Sequence, residues 1–240
     1  MNHIDQLLNI SPADCNKKIT IGEIDKFLSI LNDKNFFIDH PFFKKLPTLD
    51  PINVATILAP FYFAVNYWMD NLLMFHQNLS DTNDTTSAKL VEENICDEFG
   101  IHNGEVDLKN CHKLTYIKFL VALGYKGKFI ITNPVEKFNN ELENSLYNNT
   151  TKFHACVLGA IEHFYICIST MLKQYCDKNG IKQNHYQVHE VLDKKHSMDF
   201  FNVALNQDAT IGDFIDGIAK GLHLLWNIYE QLYTEVLSLD

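Results

Sequence analysis

From His185 to His196 the chain reads His-Tyr-Gln-Val-His-Glu-Val-Leu-Asp-Lys-Lys-His. As an α-helix, at about 100° per residue, this stretch brings His189, Asp193 and His196 into an arc of roughly 60° on one face. Two imidazoles and a carboxylate stacked in this way make a poor solvated face. They make a good donor set for a first-row metal such as iron or zinc. The same letters also fit an amphipathic helix that happens to be rich in histidine, because short His spacings recur by accident. The choice depends on whether the rest of the chain supplies matching ligands.

A chain of 240 residues with 46% hydrophobic content buries a full core as one large domain or two small ones. Its formal charge is −10 and every basic residue is lysine. That balance argues against nucleic acid, which calls for a positive patch and arginine forks, and against an anionic membrane surface. Small molecules or protein partners remain. The six cysteines, Cys15, Cys96, Cys111, Cys156, Cys167 and Cys176, contain no Cys-x-x-Cys pair and several fall in apolar stretches. The N-terminus has neither the basic start nor the apolar run of a secretory signal. Reduced thiols in a cytoplasmic protein are the expectation.

The hydrophobic period is helical almost throughout. Residues 1–20 are polar and irregular and read as a loosely ordered arm, leaving 21–240 as one domain. Thr20-x-x-Glu23 is a capping box, followed by Ile24, Phe27, Leu28 and Leu31 at helical spacing. His40 to Pro47 is broken into short pieces by its prolines. Ile52–Phe75 is long enough to span a membrane, but Asn53, Asn66, Asp70 and Asn71 interrupt it and no basic residue flanks it, so it reads as a buried helix. Pro60 marks its first turn or a kink. Ser80–Ser87 reads as a surface loop. Further helices are expected over Ala88–Phe99, His112–Leu123, Pro134–Leu146, Lys152–Asp177, His185–Ala204 and about Ile211–Leu237. Lys128–Thr132 reads as loop, and no run of alternating strands is visible. An all-α single domain follows.

Other helices carry polar groups in apolar surroundings. Glu98 sits in Asn94-Ile-Cys-Asp-Glu98-Phe-Gly100, His112 opens a helix, and Glu162 is flanked by apolar residues where a carboxylate is costly unless paired, protonated or metal-bound. Each has an ordinary explanation: Glu98 as a surface acid beside Glu92, Glu93 and Asp97, His112 as a backbone partner at a helix start, Glu162 as a buried pair with a group such as His154. Taken together they give three carboxylates and three imidazoles on separate helices, a mixture that bundle interiors use to hold two irons. The Glu-x-x-His pairs of ferritin-like bundles are absent, Asp193-x-x-His196 being the nearest equivalent.

The order Asn-x-x-Asp-Glu-x-Gly, then His before an apolar helix ending in Leu-Gly, then a lone buried Glu, then His-x3-Asp-x2-His resembles the haem-oxygenase-like diiron oxidases and oxygenases, over about Phe36–Ala204. The resemblance implies a haem-oxygenase-like bundle of about seven helices. It implies Glu98, His112, Glu162, His189, Asp193 and His196 as ligands of two iron ions, with Glu98 and Asp193 bridging or capping. Glu105, seven residues before His112, is a rival to Glu98, and Asp70 is the candidate for an extra carboxylate from the preceding helix.

The implied activity is oxygen-dependent oxidation of a small amine, amino-acid or fatty-acid-like substrate, with O2 as co-substrate, an external reductant, and a homodimer suiting the fold. One branch of the family forms 4-aminobenzoate from its own tyrosine and lysine. Lys173 lies eleven residues after Glu162, about 20° away on the helix, and with Tyr165 would serve that reaction; it also fits a snorkelling lysine near a helix end. Tyr67, Tyr116 and Tyr186 are further aromatic candidates. Two other classes compete: a cofactor-free enzyme of the thiaminase or quinone-synthase kind, and a metal-free interaction module.

Overall fold

A computed structural model describes residues 3–237. In chain order it contains α1 (His3–Leu8), α2 (Ile21–Asn32), α3 (Pro41–Lys45), α4 (Pro51–Leu58), α5 (Tyr62–Asp81) and α6 (Thr85–Phe99). A two-stranded antiparallel hairpin follows, β1 (Ile101–His102) and β2 (Glu105–Val106). Then come α7 (His112–Ala122), α8 (Asn133–Tyr147), α9 (Thr151–Lys178), α10 (His185–Asn206) and α11 (Ile211–Leu237). Among the described residues there are thus eleven α-helical segments rather than about seven, mainly because the proline-rich region folds as short helices and 3-10 turns.

Local chemistry sets the boundaries. Thr20 and Glu23 form the reciprocal capping box that starts α2. Pro51 occupies the first turn of α4, and Pro60 lies in a 3-10 turn, Ala59–Phe61, that splits the apolar Ile52–Phe75 stretch into two helices. The Ser80–Ser87 loop shrinks to residues 82–84, because the Asp84 side chain caps α6 at Ser87 N. Near the start of the described residues, Ile4 and Leu8 of α1 are buried, and Ile19 N donates to Ala209 O.

At the centre lies α9, with α10 on one side and α11 on the other. Small residues let them close in. A Cβ on Gly159 would fall 2.7 Å from the Phe201 ring of α10, and one on Gly217 would fall 2.3 Å from Cys156 Cβ. Close-packed interiors tolerate no such overlap, so these positions fix the helix spacing. The Ser197 hydroxyl also donates to Gly159 O at 2.9 Å, tying α10 to α9. Of the described helices, α9 alone is long and apolar enough to cross a membrane, yet 78% of its most apolar window is buried inside the protein. Its apolarity is that of a central core helix.

Candidate metal centre

Four helices, α6, α7, α9 and α10, deliver the acids and imidazoles to one place. Glu98 is in the last turn of α6, which Gly100 terminates at φ +69°, a left-handed conformation. Only glycine fits there: a Cβ would meet Asp107 O at 2.5 Å and Cys111 N at 2.8 Å. The chain then runs through the hairpin and is sewn back by Asp107 N donating to Gly100 O at 2.7 Å. This returns the backbone to Cys111 and starts α7 at His112, beside Glu98. Thirteen intervening residues are thereby folded out of the way. Glu105 lies exposed on β2 and Asp70 is exposed on α5, so neither joins the cluster.

All six expected ligands are buried, none more than 7% exposed. His112 Nδ1 lies 2.8 Å from Glu98 Oε2. His189 Nδ1 lies 2.8 Å from Asp193 Oδ1, one turn along α10. His196 Nδ1 is 3.9 Å from Glu162 Oε1 of α9. The rings of His112 and His189 are 4.4 Å apart, centre to centre. Glu98, Glu162 and His196 each offer one atom within 4.8 Å of the other two, the only such trio among the described residues. The ordinary explanations for Glu98 and Glu162 fail here. Glu98 points inward, and His154 instead contacts Ser145 and Asn71.

Protonation follows from this crowding. Burial pushes the Glu162 carboxyl well above the usual range, and the negative charges of Asp193 and Glu98 push it further. Burial would raise Glu98 too, but the imidazole of His112, with those of His189 and His196, outweighs it and holds Glu98 at about 2. For His189, burial favours the neutral ring, and Asp193 reverses that and raises it.

Three contributors lie outside the set expected from sequence. Asp97 Oδ2 accepts from His196 Nε2 at 3.1 Å, which leaves His196 Nδ1 as the bare nitrogen facing Glu162. His185 is buried with its ring 4.5 Å from that of His189, and Thr115 contacts its Nδ1. The signal for His185 was present: it lies one turn before His189 on the same face. Nothing local distinguishes Asp97 from Glu98 or Glu93.

The two residues expected to react sit differently. Tyr165 packs its ring 5.1 Å from His189, and burial raises its phenol well above the ordinary range, with Tyr229, Tyr186 and Tyr116 adding to the effect. Lys173 instead reaches Glu190, forming a half-exposed ion pair. Beside the cluster opens a cavity with Phe61, Val65, Trp68, Phe138, Ile161 and Leu225 in its wall, Tyr165 at its side, and Glu98, Glu162 and His189 as its polar end.

The donors fit a first-row metal ion. Asp193 Oδ2, His196 Nδ1 and His112 Nε2 are buried with no hydrogen-bond partner. Buried polar atoms in a native protein are normally satisfied, and an ion is one way to satisfy them. Carboxylates crowded until one favours its proton also suit a cation, and no lysine pairs with them among the described residues. Imidazole and carboxylate together suit iron or manganese.

The sequence model of a family described as iron-containing redox enzymes matches residues 56–226. Two crystal structures of a CADD-like protein of unknown function from Nostoc punctiforme share the fold. One aligns with a TM-score of 0.71 at 14% identity, over 91% of this chain and 96% of that one. The other aligns with a TM-score of 0.69 at 13% identity, over 88% and 97%. No curated protein matches the chain.

Proposed function

This chain belongs to the iron-containing redox enzyme family, and we propose that within it the protein is an oxygen-dependent non-haem diiron oxidase or oxygenase. Glu98, His112, Glu162, His189, Asp193 and His196 would hold the two ions. The observation that carries the reading is the buried, lysine-free gathering of these carboxylates and imidazoles at the end of an apolar cavity. Bound iron would supply the one-electron and O2 chemistry that no side chain provides.

The protein's own part is positional. Asp97 and Asp193 each orient one histidine, which sets the nitrogen that faces the centre. Glu162, which burial and its neighbouring acids keep protonated, would have to give up that proton to serve as a ligand. The apolar wall excludes water and takes the carbon skeleton of a small substrate, an amine, amino acid or fatty-acid-like molecule, with its reacting end toward Glu98 and Glu162. An external reductant would complete each turnover. Formation of 4-aminobenzoate from the protein's own side chains is supported by Tyr165 at the cavity, and it would require Lys173 to leave Glu190.

Anaerobic loading with ferrous iron, followed by a pulse of oxygen, tests the proposal. Two irons per chain, a transient visible absorption band and reductant-dependent O2 uptake are expected. Protein that retains no iron after desalting, or takes up no oxygen when loaded, overturns it. Release of 4-aminobenzoate in air with a reductant, abolished in Tyr165→Phe, would identify the narrower reaction.

A further inference from the structure

His185 is a histidine that the six-ligand set does not use. It is 1% exposed, and its Nε2 has no hydrogen-bond partner. Its other nitrogen is accounted for. The Thr115 hydroxyl donates to His112 O at 2.9 Å, so its oxygen is left to accept from His185 Nδ1 at 2.8 Å. A neutral ring with its proton on Nδ1 presents Nε2 as a bare lone pair. A buried lone pair with no donor to meet is costly, and nothing in the packing relieves it.

The surroundings point to a cation. The His185 ring is 4.5 Å from that of His189 and 6.3 Å from that of His112, while His112 and His189 are 4.4 Å apart. With metal–nitrogen bonds of about 2.0–2.1 Å, two imidazoles at right angles on one ion have their centres roughly 4.5 Å apart. His112 Nε2 is buried and unpartnered as well.

We infer that His185 is a further metal ligand, donating through Nε2 to a second ion that His112 and His189 also hold. This deepens the two-ion reading above and rests on it. The centre is then two unlike halves. One is carboxylate-rich, with Glu98, Glu162 and His196 already drawn together. The other is imidazole-rich, and its donors are not gathered as tightly. The imidazole half therefore fills second and more weakly.

The test uses cobalt(II)-loaded full-length protein. Proton NMR of a paramagnetic cobalt site shows one strongly shifted exchangeable signal for each ligating imidazole N–H. Wild type should give four, from His112, His185, His189 and His196. His185→Asn keeps an amide beside Thr115 but removes the Nε2 donor. It should lose one signal and weaken the second cobalt by at least about tenfold, leaving the first unchanged. His185→Gln, whose amide reaches the Nε2 position, should recover part of that affinity. Far-ultraviolet circular dichroism and metal-free melting report whether each variant folds. If His185→Asn does not fold, the wild-type signal count still decides. Two bound ions with only three shifted signals overturn the role of His185 alone. Wild type that binds no cobalt overturns the two-ion reading itself.

Discussion

Replacing Glu162 with glutamine separates a structural role for this buried acid from a metal-binding one. The side chains are nearly isosteric, so the packing of α9 is kept and only the ability to carry negative charge is lost. In the metal-free protein the Glu162 carboxyl is held above its ordinary value of 4.5 by burial and by Asp193 and Glu98. A group raised in this way contributes stability that is complete below the unfolded value and is lost as pH rises through the folded one. Each pH unit between the two is worth about 1.4 kcal/mol. Near neutral pH the wild type therefore bears a penalty that Glu162→Gln does not. The metal-free variant should melt no lower than the wild type, and its advantage should shrink on acidification.

Metal reverses the order. An ion present at a hundred times its Kd stabilises the folded state by about 2.7 kcal/mol. In a chain of this size that is a rise of roughly 5–10 °C in Tm. The wild type should show it, whereas Glu162→Gln, lacking a carboxylate ligand, should show little. Differential scanning calorimetry, anaerobic, with and without ferrous iron, measures all four values. If the variant rises with iron as much as the wild type, or melts below it without metal, Glu162 is not a ligand.

Asp97→Asn removes the carboxylate that accepts from His196 Nε2, so metal affinity should fall about 10–100-fold while metal-free Tm moves little; unchanged affinity in a chelator competition would refute the orienting role. Gly217→Ala forces a methyl into Cys156 and the neighbouring backbone, costing about 1–3 kcal/mol in urea denaturation. Gly22→Ala in α2 meets nothing within 4 Å and should instead stabilise by about 0.4–1 kcal/mol; equal effects at the two sites would refute the packing argument. Burial holds His154 at about 3 and His163 at about 4, below the ordinary 6.5. Stability from these neutral rings is complete above 6.5 and is lost as pH falls toward the folded values, since the unfolded chain protonates first. His154→Gln should flatten that acid limb by up to about 1.4 kcal/mol per pH unit, and a variant with the wild-type acid slope would show that His154 is not its source.

Much of this was legible in the chain because helical periodicity is a local property. The Thr20–Glu23 cap, the ends of α9 and α11, and the shared face of His189, Asp193 and His196 follow from spacing and from residues within a turn or two. The short helices around the prolines, the hairpin and the docked N-terminal helix were not legible, because marginal segments take their conformation from what they pack against. The same division runs through the site. Sequence could nominate Glu98 but not choose it over Glu105; the choice was made by Gly100 and a hairpin whose return places His112 beside one acid and leaves the other in solvent. Spacing put Lys173 near the face of Glu162, and Glu190, across the interface on α10, drew it away. Asp97 and His185 gained their partners only when α6, α7 and α10 were packed together. The residue order determined which groups lie on each helix. Which of them are buried, and which meet, depended on burial and long-range contact, and those exist only once the helices are assembled.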